Sequence, residues 1–572
     1  MSYTPLPIVG VCGPSGSGKT LLIQQLVPRL VQRGLRVAVV KHCTHRIEAD
    51  TPGKDTDRIF RAGADVLAAG PHESFARFHA ANMPLAECVR RIADRCDLVL
   101  VEGSRDAAIP KIWLTQEAAD AWGRPEECLL VLSGVPDACS AAEQAVLQVM
   151  ECARSGVNPG QTRKELKMTP RERVLKALNF EPTDRVPRDL GGMRSTGISA
   201  FAYPKLRAAL GLPERPPRVH DSGQMLALPD LDVLDALGCD VITVEGGDVT
   251  NAFEQPELWH PYDFGGRLPA LVRDPQGYRA EAGGTLVYRD YMRMPPDSYV
   301  FDSEHAGQLF VLAGELPKPD LKEVRKQQEA RVLKDEQIAR IRDLCRRARA
   351  ATDRAIMLMG PLGLGMCIHG YGGLAVFPVL CLLEPDLVHE IHSLSLETAL
   401  KNARALLPEI RDYVDVVGID SDDWGNQNSL MAPPRVFRDL FLPYRKRHNA
   451  EIHRVAPHVK TFLHSCGALY EILDMIIESG TDILNPVQWS AGGRAPAEWK
   501  AKCRGRMTLW GGGVNAQRTL PLGSVADVER EVAATVAVLK QDGGYVFANV
   551  HNILAEIAPE KVIAMYRAAE RA

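Results

Sequence analysis

At 572 residues, with 45% hydrophobic and 24% charged residues and a net charge of −4, the chain has an ordinary soluble composition and room for two or three domains. That balance excludes a general polyelectrolyte partner, so neither nucleic acid nor an anionic membrane is expected. Thirteen cysteines without a CxxC pair do not make a disulfide framework, and the longest apolar stretch, Ala355 to Ile368, is broken by glycines and a proline. The first apolar run starts too close to Met1 to leave room for an export signal, and a cytoplasmic location is expected.

The chain opens on VGVCGPSGSGKT, Val9 to Thr20, a strand-like run entering a glycine-rich turn. From Gly13 the pattern G-x-x-x-x-G-K-[ST] is complete. Backbone N–H groups around Gly13, Gly16, Ser17 and Gly18 can wrap a phosphate, Lys19 can reach its outer oxygens, and the Thr20 hydroxyl can bind Mg²⁺. The helix predicted over Leu21 to Arg33 adds its positive end. Further buried parallel strands are expected at Leu35–Lys41, Asp97–Val101 and Cys128–Ser133, with a closing helix over Ala141–Arg154. Glu102, directly after the third strand, can hold the Mg²⁺ or polarise a water.

The run KHCTHRIEADTPGKDTDRIFRAGA, Lys41 to Ala64, taken with the P-loop, the VEG at Val101–Gly103 and Pro110-Lys111, resembles the MobB family of molybdopterin-guanine dinucleotide biosynthesis adapters. The likeness covers residues 1–154. It implies a GTP-binding domain, often dimeric and with at most weak GTPase activity, that works with the molybdenum cofactor guanylylation machinery. It also implies that Asp50 joins Glu102 near the metal. Lys41, His42 and His45 fit either function or a structural polar loop. No N-K-x-D base-reading signature is present, so guanine specificity comes from the resemblance alone.

Residues 155–168 lack apolar periodicity and read as a linker, after which TPRERVLKALNFEPTDRVP is an amphipathic helix stopped by Pro182. Eight apolar runs follow: Val186–Leu190, Val241–Glu245, Ile356–Gly360, Val416–Asp420, Val459–His464, Ile483–Asn485, Met507–Trp510 and Tyr545–Val550. With helix-length segments between many of them, they predict a (β/α)₈ TIM barrel over 169–572, beside an N-terminal doubly wound parallel sheet. Residues around 250–353 read as an insertion, in which TLVYRDYMRM alternates like a strand and Asp320–Asp353 is a charge-laced helix with a solvated face.

A barrel carries its chemistry at the carboxyl ends of its strands, here Asp189, Asp420, His464, Cys466, Asn485, Gln488 and His551. The period of two puts His464 and Cys466 on one face, where they can grip Zn²⁺ with a third ligand such as His551, or stand as a satisfied histidine and a buried thiol. The stretches DDWGNQNSLMAPPRVFRDLFLPYRKRH, LHSCGALYEILDMIIESGTDILNPVQ and GGYVFANVHNI resemble the uroporphyrinogen decarboxylase superfamily, which includes cobalamin-dependent methyltransferases. In the methyltransferase branch a His-x-Cys pair and a late cysteine hold zinc, which activates a thiol as acceptor of a corrinoid-borne methyl group. His464 and Cys466 match the pair, and the late position falls on His551. In the decarboxylase branch two arginines hold the carboxylates of a tetrapyrrole. MRSTGIS keeps Arg194 but has Ile198 at the second position. An aliphatic side chain does not replace a bidentate guanidinium, so the methyltransferase branch is favoured. Decarboxylation, or a silent tetrapyrrole- or corrinoid-binding module, is the alternative. Asp420 completes the expected catalytic set, and Arg194, Asn485 and Gln488 are the expected substrate contacts.

Overall fold

A computed structural model describes residues 6–14, 16–41, 52–69, 73–79, 83–103, 106, 107, 109–115, 118, 128–132, 138–155, 168–302, 316–368, 370–374 and 376–572. The chain divides into two units, Met1–Lys167 and Met168–Ala572. No helix among the described residues is long and apolar enough to cross a membrane.

The first unit is a five-stranded parallel sheet. Its strands are β1 (Ile8–Cys12), β2 (Val37–Lys41), β3 (Leu98–Glu102), β4 (Lys111–Trp113) and β5 (Cys128–Val131), ordered β2-β3-β1-β4-β5. β3 is buried along its whole length, as a strand covered on both faces must be. Leu22, Ile23, Leu26 and Leu30 of α1 (Lys19–Gln32) form an apolar stripe that packs with Ala142, Val146 and Val149 of α2 (Ala138–Ser155) over one face. The other face packs Val99 and Val101 under Leu85, Val89 and Ile92. β4 was not anticipated: three residues are too few to show a period.

In the second unit seven parallel strands follow one another in chain order. They are β6 (Val241–Glu245), β7 (Ala355–Met359), β8 (Val416–Ser421), β9 (Lys460–His464), β10 (Ile483–Asn485), β11 (Thr508–Trp510) and β12 (Tyr545–Val546). The first predicted run, Val186–Leu190, closes the barrel as a single bridge rather than a full strand. Phe547 N donates to Pro187 O at 2.8 Å, Asp189 N to Phe547 O at 2.9 Å, and Asp240 N to Arg188 O at 2.8 Å. The interior is filled by Val241, Met357, Val416, Phe462, Ile483 and Trp510, with Val174 and Leu178 of α3 (Pro170–Leu178) packed among them. α3 begins with a capping box between Thr169 and Glu172 and closes the amino-terminal end of the barrel through Arg171–Asp415 and Arg173–Asp240 ion pairs.

Between β6 and β7, TLVYRDYMRM is a hairpin rather than one strand. Leu286–Tyr288 pairs antiparallel with Met292–Met294 around a turn that holds Arg289 and Asp290 at φ 49° and 64°. The charged stretch ends in α4 (Asp335–Ala351), whose Ile341, Leu344, Cys345 and Ala348 are buried. Its outer face is charged, while its inner face packs onto the barrel in the place of a βα-unit helix.

Candidate functional site

In the first unit, β1 delivers the chain into the glycine-rich loop. Gly16 and Gly18 sit at φ 78° and 91°, a left-handed conformation that penalises any Cβ, which is why the turn needs glycine at both. A Cβ on Gly13 would stand 2.7 Å from Ser17 Oγ, itself buried and without a hydrogen-bond partner among the described residues. Lys19 opens α1 and folds over the loop, its Nζ donating to Gly13 O at 3.0 Å and Pro14 O at 2.6 Å. The parallel register sets Glu102 opposite both Val11 and Lys41, bringing the end of β3 beside the loop. Thr20 Oγ1 donates to Glu102 Oε1 at 2.8 Å, and Lys41 Nζ is 3.2 Å from the same oxygen. A hydroxyl and a carboxylate thus meet beside a nest of backbone donors, an arrangement able to hold a phosphate-bound divalent cation. Asp50, His42 and His45 lie outside the described residues.

In the second unit the strand ends assemble a different cluster. His464, the last residue of β9, pairs in register with Asn485 of β10, and its Nδ1 is 2.6 Å from Asn485 Oδ1. Asn485 Nδ2 donates to Trp510 O at 2.9 Å, which orients the amide so that its oxygen faces the imidazole. Nδ1 is therefore the protonated nitrogen, and the Nε2 lone pair points into the mouth. Trp510 Nε1 in turn donates to Asp189 Oδ2 at 2.9 Å, so the residue ending the first stave supports the same chain of contacts.

His464 Nε2 lies 3.3 Å from Cys466 Sγ and 3.3 Å from Ser195 Oγ. His551 arrives from beyond β12, and one ligand atom from each of His464, Cys466 and His551 falls within 4.8 Å of the others. Cys466 is held by its own backbone, its N–H donating to Asp423 Oδ1 at 2.9 Å, while Gly467 N donates to Gln488 Oε1 at 2.9 Å. Gly467, at φ 95°, rests against the Gly425 backbone with no room for a side chain. Burial keeps His464 deprotonated, lowers His551 to about 4, and pushes the Cys466 thiol well up. Near neutral pH the cluster offers two neutral imidazoles and a protonated thiol.

A cavity of about 430 Å³ adjoins the cluster, lined among others by Arg194, Ser195, Glu245, Arg331 and Asp420. Asp420 Oδ2 pairs with Arg445 Nη2 at 2.9 Å and Oδ1 accepts Gly365 N at 2.9 Å. Burial raises its carboxyl to about 6 even against Arg445. Arg194 is tied to Asp221 at 3.0 Å and to Glu245, whose other oxygen is 2.6 Å from His220 Nδ1. Burial opposes ionisation of Glu245, but His220 and Arg194 outweigh it and hold the carboxyl at about 2. Ile198 is fully buried, paired with Ala227, and presents nothing to the cavity. Asn485 is fully buried with both amide atoms engaged, and Gln488 braces the Cys466 loop, so both act on the cluster rather than line the cavity. Ser195 and Asp423 escaped the sequence reading. Ser195 follows the recognised Arg194 directly, and Asp423 lies in the DDWG run, yet neither shows its neighbours before the barrel closes.

A P-loop α/β domain followed in sequence by a (β/α)₈ barrel with a histidine–cysteine cluster at its mouth defines the class of protein. Residues 8–129 match the molybdopterin guanine dinucleotide synthesis protein B (MobB) family, and residues 313–572 match uroporphyrinogen decarboxylase (URO-D). The molybdopterin-guanine dinucleotide biosynthesis adapter protein of Haemophilus influenzae is 38% identical over 115 residues, spanning 20% of this chain and 65% of that protein. Its counterpart in Escherichia coli is 33% identical over 132 residues, 22% of this chain and 74% of that protein. A methyltransferase from Methanosarcina mazei is structurally similar over 71% of this chain and 99% of its own, at 16% identity and a TM-score of 0.41. The chain belongs to the MobB family by its N-terminal domain and carries a domain of the URO-D superfamily at its C-terminal end.

Proposed function

We propose that the chain joins a GTP- and Mg²⁺-dependent adapter for molybdenum cofactor guanylylation to a zinc-containing barrel that moves a methyl group from a corrinoid to a thiol. The observation that carries the barrel half is the meeting of His464, Cys466 and His551 within 4.8 Å, with the His464 tautomer set by Asn485. Two imidazoles and one thiol are a donor set suited to Zn²⁺. Zinc held there lowers the pKa of a bound thiol, making thiolate available at neutral pH. Around it, Asn485 keeps the His464 lone pair on the cavity side, and the Gly467–Gly425 contact fixes where Cys466 can stand. Ser195 and Asp420 put a hydroxyl and a buried acid on the cavity wall, in reach of a bound substrate.

In the first domain the Gly13–Gly18 loop and Lys19 take the phosphates, and Thr20 with Glu102 hold the Mg²⁺, with Asp50 assigned to the same metal by the family resemblance. Guanylylation enzymes are the partners this domain implies, and a corrinoid protein or small tetrapyrrole those of the barrel. Decarboxylation of a carboxylate-rich tetrapyrrole would need free guanidinium groups. Ile198 is buried, and Arg194 already serves Asp221 and Glu245.

The test is metal analysis of the full chain beside methylcobalamin demethylation with added thiols, followed by cobalamin absorbance. The wild type is expected to carry one zinc at the barrel and Cys466→Ser to lose it while staying folded. A folded wild type that takes up no zinc, or that turns over uroporphyrinogen, overturns the proposal.

A further inference from the structure

The loop after β8 carries two consecutive acids with different surroundings. Asp422 is buried, its carboxylate accepting from Ile368 N and Trp424 Nε1, which is a structural use of the charge. The Asp423 side chain is 54% exposed toward solvent, and its Oδ1 lies 3.6 Å from His464 Nε2. The same oxygen accepts the Cys466 N–H at 2.9 Å.

Two donors bound to one tetrahedral zinc at about 2.0–2.3 Å stand roughly 3.3–3.8 Å apart. The His464 Nε2 to Cys466 Sγ separation, 3.3 Å, and the His464 Nε2 to Asp423 Oδ1 separation, 3.6 Å, are both edges of such a tetrahedron. Charge points the same way. One thiolate and two neutral imidazoles leave a dication with a net positive charge in a largely buried site, and one carboxylate cancels it. Ser195 Oγ is as near to His464, but a neutral alcohol is the poorer oxygen donor and leaves that charge uncompensated.

We propose that Asp423 is the fourth ligand of this centre while no acceptor thiol is bound, the displaceable oxygen donor on its solvent-facing side beside two histidines and one cysteine. The inference rests on the metal assignment of the preceding section. Asp423→Asn keeps an acceptor for the Cys466 N–H but removes the charge, so it separates a ligand from a loop anchor. In the full chain, zinc affinity measured by competition with a chromophoric chelator is expected to fall at least tenfold in Asp423→Asn. The melting temperature of the metal-free protein is expected to stay unchanged. Equal zinc affinity in Asp423→Asn and wild type overturns the fourth-ligand assignment while leaving the three-residue metal site standing. A wild type that takes no zinc removes both.

Discussion

The phosphate loop and the barrel mouth gather polar groups by opposite means. Around the loop the donors are backbone N–H groups of one short stretch, with Gly16, Gly18 and Thr20 exposed and the positive end of α1 behind them. At the mouth the donors are side chains from distant segments, Ser195 to His551, and His464 is 3% exposed. An open site made of main-chain dipoles draws its ligand by charge and geometry. A buried site instead adjusts its own protonation, which is why His551 is lowered to about 4 and Asp420 raised to about 6. Charge removal should therefore damage the first site most, and pH should reach the second.

The largest effect expected from this contrast is at Lys19, whose ammonium bridges the Gly13 and Pro14 carbonyls above the loop. Lys19→Ala is expected to weaken GTP binding at least ~100-fold by titration calorimetry, with barrel zinc content unchanged. A parallel loss of zinc would erase the separation between the two sites.

A smaller effect is expected at Asp189, whose buried carboxyl is raised to about 6. A raised acid favours the protonated fold, so its contribution is fully present below the unfolded value near ~4 and is lost as pH rises through about 6. Wild type should lose on the order of 2 kcal/mol more than Asp189→Asn between those pH values in denaturant titrations, whatever the offset between the two proteins. Parallel stability curves would show that burial at the barrel end does not tune this acid.

The smallest is a proton count. With both imidazoles already neutral and the Cys466 thiol pushed up by burial, zinc uptake near pH 7 should release about one proton, read from calorimetry in buffers of different ionisation enthalpy. Release near zero or near three would contradict the protonation states assigned to the cluster.

Local features carried much of this through the sequence. The run from Val9 to Thr20 shows its purpose because a phosphate cradle is built from consecutive backbone amides, and left-handed turns leave glycine as their trace. The barrel strands were legible as apolar runs because a strand covered on both faces cannot alternate with polar residues. Short pieces were not: β4 is three residues long, and Val186–Leu190 pairs through one bridge, a contribution that depends on where Phe547 and Asp240 stand. His464 and Cys466 were visible as a pair because a separation of two residues is a local relation, although β9 ends at His464 and Cys466 stands in the loop just beyond it. Asp423 and Ser195 were not, because their nearness to His464 crosses 41 and 269 positions of chain.

By itself, then, the sequence determined the phosphate loop, the succession of two α/β units and the alternation of strand and helix, all of which follow from interactions between near neighbours along the chain. Tertiary structure alone decided which strand ends meet. Closure of the barrel through Pro187–Asp189 brings His551 opposite His464, sets Asn485 where it orients the His464 imidazole, and sets Asp423 at a coordination-edge distance from it. The reason is that a side-chain cluster depends on register and strand tilt across several elements, and no local pattern in the chain encodes those.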